Sequence, residues 1–248
     1  QIGSEEITNG NFSQIGSEQI TNGSFDTDTD WTKGTGWSIG GGTANCDGTQ
    51  TSNTSFYQAA LTLNKTYKFE FTISDITSGQ VRLRNGIGDS ETYIGYQNAA
   101  GTFTAYAKVN GNTILVIDGD ADFIGSIDNV SVKEVGQDWT LGTGWSIGDD
   151  KAISDGTNVD AYLSQSGLVA GKSYKVTFDI LDYVSGALSV RAANETQAFS
   201  VNSNGSYVGY VKSISSISIG FRSAGASGFN GSITNISVKE VGQNWSLE

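Results

Sequence analysis

The 248-residue chain contains no histidine, no proline, no methionine and a single cysteine. Without histidine there is no Ser-His-Asp or Cys-His nucleophile, no imidazole general base and no His-ligated zinc. The lone thiol, Cys46, cannot form a disulfide within the chain and reads as a small buried hydrophobe. Average usage would supply about a dozen prolines, and nothing in the sequence explains their absence. Charge is sparse too. Only 16% of residues are Asp, Glu, Lys or Arg, against roughly 25% in an average protein, and the acids dominate to give a net charge of −12. That balance disfavours nucleic acid, which demands clustered Lys and Arg. No apolar run approaches the roughly 18 residues of a membrane span, so membrane insertion is not expected. The first residues show neither Met nor a signal-peptide pattern, as in a processed chain or part of a longer one.

Turn chemistry is abundant instead. There are 33 glycines, with many Ser, Thr and Asn, the residues that tight turns require. Between the turns lie strand patterns. Tyr67, Phe69, Phe71 and Ile73 alternate with Lys68, Glu70 and Thr72, and Tyr174, Val176, Phe178 and Ile180 alternate with Lys175, Thr177 and Asp179. Period-two alternation marks a half-buried strand. The unbroken run Ile114–Ile117 fits a strand buried on both faces. No helical period persists for three turns, so we expect an all-β protein of antiparallel sandwiches.

Internal repetition is the strongest signal. DWTKGTGWSIG from Asp30 recurs as DWTLGTGWSIG from Asp138, and GSIDNVSVKEVG from Gly125 as GSITNISVKEVG from Gly231. Tyr67 and Phe71 match Tyr174 and Phe178, and Arg84 matches Arg191. The matches keep their order, which marks a domain duplication rather than a short-repeat solenoid. The expected domains are 14–136 and 137–242. At the start, QIGSEEITNGNF from Gln1 is repeated as QIGSEQITNGSF from Gln14, so residues 1–13 form a duplicated segment. No such opening strand precedes Trp139. At the other end 243–248 carries Trp245, which repeats Trp139 and reads as the first strand of a third unit. Residues around Ile7–Phe12 are therefore candidates to supply the strand that the second domain lacks, in cis or from a neighbouring subunit. A recombination scar with a loose N-terminus is the plainer alternative.

One unit runs NGSF, a Trp, GTGWSIGGGTA, FYQAALTLNKTYKFEF and finally IGSIDNVSVKEV. This wording resembles the family 4/9-type carbohydrate-binding modules, over nearly all of the first unit and less completely over the second. The resemblance implies two tandem antiparallel jelly-roll-like β-sandwiches that bind carbohydrate without catalysis. It also implies a structural Ca2+ between the opening and terminal strands, with Asp26 and Asp128 as its ligands in the first unit; Thr234 replaces Asp128 in the second. Tandem units joined by VSVKEVGQDWT also resemble repeats of bacteriophage tail fibres and capsid appendages. The partners so implied are a cell-surface polysaccharide or glycan and other virion or filament subunits, in a homo-oligomer located extracellularly or on a virion surface. A purely structural decoration or filament subunit is the rival reading.

Aromatics present in one unit only are the better ligand candidates, because a sugar lays its C–H face on an aromatic ring while polar neighbours fix its hydroxyls. The carbohydrate-site candidates are Tyr93, Tyr96, Arg84 and Gln97 in the first unit, with Arg82 and Asn85 nearby, and Tyr162 and Arg191 in the second; Tyr183 and Phe199 are weaker ones. The plain alternative is tyrosines exposed on an edge strand. Trp31, Trp37, Trp139 and Trp145 persist in both units and read as core. The acidic runs DTDTD (Asp26, Asp28, Asp30) and DGDAD (Asp118, Asp120, Asp122) lack the Gly and Glu of an EF-hand loop and read as solvated turns. Paired carboxylates could serve glycoside hydrolysis, but the second unit has SAGASG in place of DGDAD. No enzyme is expected.

Overall fold

The computed structural model describes residues 2–86, 92–193, 195 and 199–242. Every regular element among them is a β-strand, as the composition predicts. The chain divides into two compact units. One spans 15–135; the other joins 1–14 to 136–248. They are called the first and second sandwich below.

The first two strands, β1 (Ile2–Glu5) and β2 (Ile15–Glu18), belong to different sandwiches. The first sandwich continues with β3 (Thr32–Lys33), β4 (Trp37–Gly40), β5 (Thr43–Asp47), β6 (Thr54–Ala59), β7 (Thr66–Ser78) and β8 (Val81–Asn85). It closes with β9 (Thr92–Gln97), β10 (Gly101–Lys108), β11 (Ile114–Gly119) and β12 (Ile124–Val135). One sheet has the order β10-β7-β12-β5-β4, with β2 added on β12; the other has the order β3-β6-β11-β8-β9. The alternation in β7 works as the sequence predicts: Tyr67, Phe69, Phe71 and Ile73 are buried between the sheets. Trp31 lies flat on Phe56 with ring centroids 4.5 Å apart, and Trp37 meets both Phe56 and Phe123.

The second sandwich repeats this strand for strand. Its elements are β13 (Thr140–Leu141), β14 (Trp145–Gly148), β15 (Lys151–Asp155), β16 (Tyr162–Ser166), β17 (Ser173–Ser185) and β18 (Ala187–Ala192), then β19 (Phe199–Val201), β20 (Gly205–Lys212), β21 (Ser218–Ala224) and β22 (Asn230–Val241). The sheets are β14-β15-β22-β17-β20, with β1 on β22, and β13-β16-β21-β18-β19. Trp31, Trp37, Trp139 and Trp145 are all buried, so all four tryptophans of the repeat serve the cores.

The apparent lack of an opening strand in the second sandwich is made good by the N-terminal segment. The reason is visible in the terminal strand. One edge of β12 is paired by β5 over Ile124–Ile127 and by β2 at Lys133 and Val135. On β22 the same edge is paired by β15 over Asn230–Ile233 and by β1 at Lys239 and Val241. Each opening strand thus covers the stretch of edge that β5 or β15 leaves open, and an uncovered edge is a liability. The ladder itself is made by Ile2–Glu5. Ile7 and Phe12, in the part expected to form it, instead turn into the core, with Phe12 only 2% exposed. The acidic runs need one correction. Asp118 does not lie in a solvated turn: it sits on β11 and is 1% exposed. Residues 243–248, with Trp245, lie outside the described residues.

Candidate functional site

The sheet β3-β6-β11-β8-β9 has one face on the core and one turned outward. Val81 and Leu83 of β8 are buried in the core cluster, so Arg82 and Arg84, of opposite parity, belong to the outer face. Register extends that face across the sheet: Asp118 of β11 pairs with Arg82 and with Ser55 of β6, and Val116 pairs with Arg84 and Tyr57. On the edge strand β9, Tyr96 pairs with Arg82 and Tyr93 with Arg84. Tyrosines three residues apart would normally point to opposite faces. Here a bulge puts Gly95 opposite Leu83 and leaves Ile94 over, packed against the core. Both rings then share the outer face, stacked with centroids 5.7 Å apart and an interplanar angle of 15°. They are 45% and 53% exposed, so the edge-strand and ligand readings meet on the same residues. At the opposite edge the face opens into a cleft of about 420 Å3 lined by Thr32, Ser55 and Tyr57 among others.

Behind the tyrosines lies a buried ion network. Arg84 donates from Nε to Asp118 Oδ2 (2.5 Å), from Nη2 to Asp118 Oδ1 (3.1 Å) and Ser55 Oγ (3.2 Å), and from Nη1 to Gly86 O (2.9 Å). A buried carboxylate is tolerable only with such bidentate pairing. Arg84 is therefore engaged within the face, and its role is positioning. Arg82 reaches Asp118 at 3.5 Å and lies 5.9 Å from the Tyr93 ring centroid, within cation–π range. Its Nε is buried with no hydrogen-bond partner among the described residues. Gln97 follows Tyr96 and pairs with Val81; parity places it on the face opposite the tyrosines.

Register also identifies the equivalent face of the second sandwich. Arg191 pairs with Gly220, and Ser189 and Tyr162 both pair with Arg222. Arg191 thus stands where Arg84 does, Ser189 where Arg82 does, Arg222 where Asp118 does and Tyr162 where Ser55 does. Tyr162 lies against Gly220, where an added Cβ would come within 3.0 Å of its ring. Arg191 donates to Ser189 Oγ (2.9 Å) and Glu195 O (3.3 Å), and Arg222 pairs with Asp160. Tyr183 and Phe199 serve packing: Tyr183 donates to Gly186 O and meets Phe229, while Phe199 stacks on Phe178. All four arginines of the chain, Arg82, Arg84, Arg191 and Arg222, lie on these two outer faces, while no lysine lies on β8, β11, β18 or β21. Counting Arg apart from Lys would have flagged the face from sequence. Arg is chosen where a planar donor must stack or bind in two places at once.

Beside Arg191, the Glu195 carboxylate accepts from the backbone N–H groups of Ile214, Ser215 and Ser216 at 2.6–3.0 Å. Burial pushes its pKa up, but the amides of Ser215, Ile214 and Ser216 outweigh that and hold it below the ordinary value. Burial pushes the Cys46 thiol up, which suits the inert core role expected of it.

The calcium candidates are engaged locally. Asp26 accepts from Ser24 Oγ (2.7 Å), and Asp128 accepts from the backbone and side-chain nitrogens of Asn129 (2.6 and 3.1 Å). Among the described residues no three acidic, Cys or His side chains form a metal-binding group. Calcium needs six to eight oxygens, so the side chains present do not make that site by themselves.

No known protein family matches the chain, and no curated protein matches it. Solved structures do. A tandem pair of CBM22 domains from Paenibacillus barcinonensis Xyn10C aligns at 10% identity and TM-score 0.38, covering 92% of this chain and 99% of that one. A CBM4 structure aligns at 19% identity and TM-score 0.28, covering 52% and 99%. A fucolectin from striped bass, Morone saxatilis, aligns at 7% identity and TM-score 0.29, covering 81% and 85%. An enzyme, allantoicase, also aligns, at TM-score 0.31. These likenesses are of fold and do not separate one function from another.

Proposed function

We propose that the chain is a non-catalytic carbohydrate-binding protein of an extracellular assembly, a bacteriophage virion appendage such as a fibre or capsid decoration. The observation that carries this is the stacked, exposed pair Tyr93–Tyr96, brought to one face by the bulge at Ile94 and backed by the Arg82–Arg84–Asp118 network. Two stacked, near-parallel rings on an open sheet face offer exposed aromatic surface for the apolar face of a sugar, and Arg82 stands beside them as a donor to its hydroxyls. In the second sandwich Tyr162, at the position of Ser55, and Arg191, at that of Arg84, are the candidates on the equivalent face. Tyr96→Ala is expected to abolish retention on the recognised glycan in a glycan-array screen while changing stability by less than about 0.5 kcal/mol, as surface substitutions do. A wild-type chain that binds no glycan would contradict the reading. In the same reading Asp26 and Asp128 would be the side chains that hold a structural Ca2+ in the first sandwich. Chelation should then lower the melting temperature of the first sandwich, and an unchanged melt would remove the ion.

A second reading has an observation of its own. The second sandwich takes its opening strand from more than 120 residues away in the chain, which is how subunits of a filament or decoration lattice could be joined. In that case the sandwiches are structural, with no glycan ligand. Tight self-association without glycan binding would favour it.

A further inference from the structure

The opening segments are held by a device that both sandwiches repeat, contact for contact. In the second sandwich the side-chain amide of Gln165 accepts from Thr8 N (2.7 Å) and donates to Thr8 O (3.0 Å). In the first, Gln58 does the same to Thr21 (3.0 and 3.0 Å). Trp139 Nε1 donates to Asn9 O and Trp31 Nε1 to Asn22 O. Ile236 N donates to Gly10 O and Val130 N to Gly23 O, both at 2.9 Å. The Glu5 carboxylate accepts from Ser237 Oγ and Val238 N, and the Glu18 carboxylate from Ser131 Oγ and Val132 N. Phe12 packs on Trp139, and Phe25 on Trp31. Gly10 and Gly23 are required because an added Cβ would collide with Ile236 O or Val130 O.

These contacts read one pattern, E-x-I-T-N-G-x-F, present as Glu5–Phe12 and Glu18–Phe25. The segments differ there only at Glu6/Gln19 and Asn11/Ser24. The side chains of Gln19, Asn11 and Ser24 bond within their own stretch of chain, to Ser17, Ser13 and Asp26. The one difference that faces the groove is Glu6 against Gln19: Glu6 passes Gly167 of the second sandwich, and its charge acts on Tyr174. Only Ser13 and Gln14 separate Phe12 from the next opening strand at Ile15.

We propose that the opening-strand groove of the second sandwich is an exchangeable peptide-acceptor site for E-x-I-T-N-G-x-F, and that its partner is the N-terminal segment of a second copy of this chain. Exchange alters which chain supplies the strand and leaves every contact the same, which makes swapping of such an element inexpensive. In dilute solution the chain's own segment wins, since a short tether gives it an effective concentration in the millimolar range. Chains held side by side in an assembly remove that advantage. The proposal deepens the structural reading above and rests on it only for its biological purpose.

The test separates donor from acceptor. A donor-dead chain carries Gly10→Ala with Phe12→Ala; an acceptor-dead chain carries Gln165→Ala with Trp139→Ala. Each alone should be monomeric by mass in solution, and the mixture should yield a one-to-one complex. Fluorescently labelled peptides of residues 1–13 and 14–26 should both bind the donor-dead chain, with affinities within about tenfold of each other. A Gly→Ala version of either peptide should not bind. If the acceptor-dead chain fails to fold, the peptide titration decides alone; if the donor-dead chain fails, slow uptake of labelled peptide by the wild-type chain decides. No complex and no peptide binding would overturn the joint. A complex between the variants, with wild-type chains that stay monomeric at every concentration, would keep the joint and remove the assembly reading.

Discussion

Several single residues carry more of this structure than their size implies. Phe12 and Phe25 have φ of +57° and +54°, following Asn9 and Asn22 at +49° and +51°. A bulky residue in the left-handed region is strained, and burial of each ring against a tryptophan holds it there. Gly10 and Gly23 lie within these turns, each with no room for a Cβ. Gly23→Ala should destabilise the first sandwich by about 1–3 kcal/mol, the usual cost of overpacking, read by chemical denaturation. Gln58→Ala leaves the N–H and C=O of the exposed Thr21 to water, at about 0.5–1.5 kcal/mol, the net worth of a hydrogen bond. Glu195 makes a prediction about pH. Its pKa is lowered in the fold, so its contribution is fully present above the ordinary value of 4.5 and is lost as pH falls through the lowered one. Glu195→Gln should flatten the melting temperature of the second sandwich across that acidic range; a curve identical to wild type would show that the carboxylate does nothing there.

At the scale of the strand, the alternating segments were legible. The period-two pattern of Tyr67–Ile73 gave both a strand and its buried face, because a half-buried strand must alternate. The persistence of Trp31 and Trp37 as Trp139 and Trp145 gave the core. Two features were not legible. The shared face of Tyr93 and Tyr96 depends on a bulge, and a bulge violates the alternation that sequence reading relies on. Asp118 looked like part of an acidic turn because its burial depends on Arg84, a residue 34 positions away brought opposite by register. Since Ile94 is the residue in excess, deleting it should leave both tyrosines facing outward and glycan retention intact, at the cost of its core contact. Retention lost together with the near-ultraviolet signature of the stacked rings would contradict the bulge assignment.

At the scale of the whole chain, duplication explains the layout, and the ends explain why the copies are unequal. The first sandwich is preceded by its own opening strand, and the second draws its strand from across the first in sequence. Sequence showed that a strand was missing and that a spare lay at the N-terminus. Only the pairing of Ile2 with Val241 and Glu5 with Lys239 joined the two. Fold and repeat were therefore open to reading, while the connection was open only as a candidate, in cis or between subunits, since edge pairing carries no sequence mark beyond a motif that fits either groove. The most direct measurement compares backbone hydrogen exchange in the full chain and in a chain lacking residues 1–13. We expect protection to fall across β22 at Val238–Val241 and around Trp139, with β12 and Trp31 unchanged. Protection that stays the same in both sandwiches, with unchanged melting, would contradict the account.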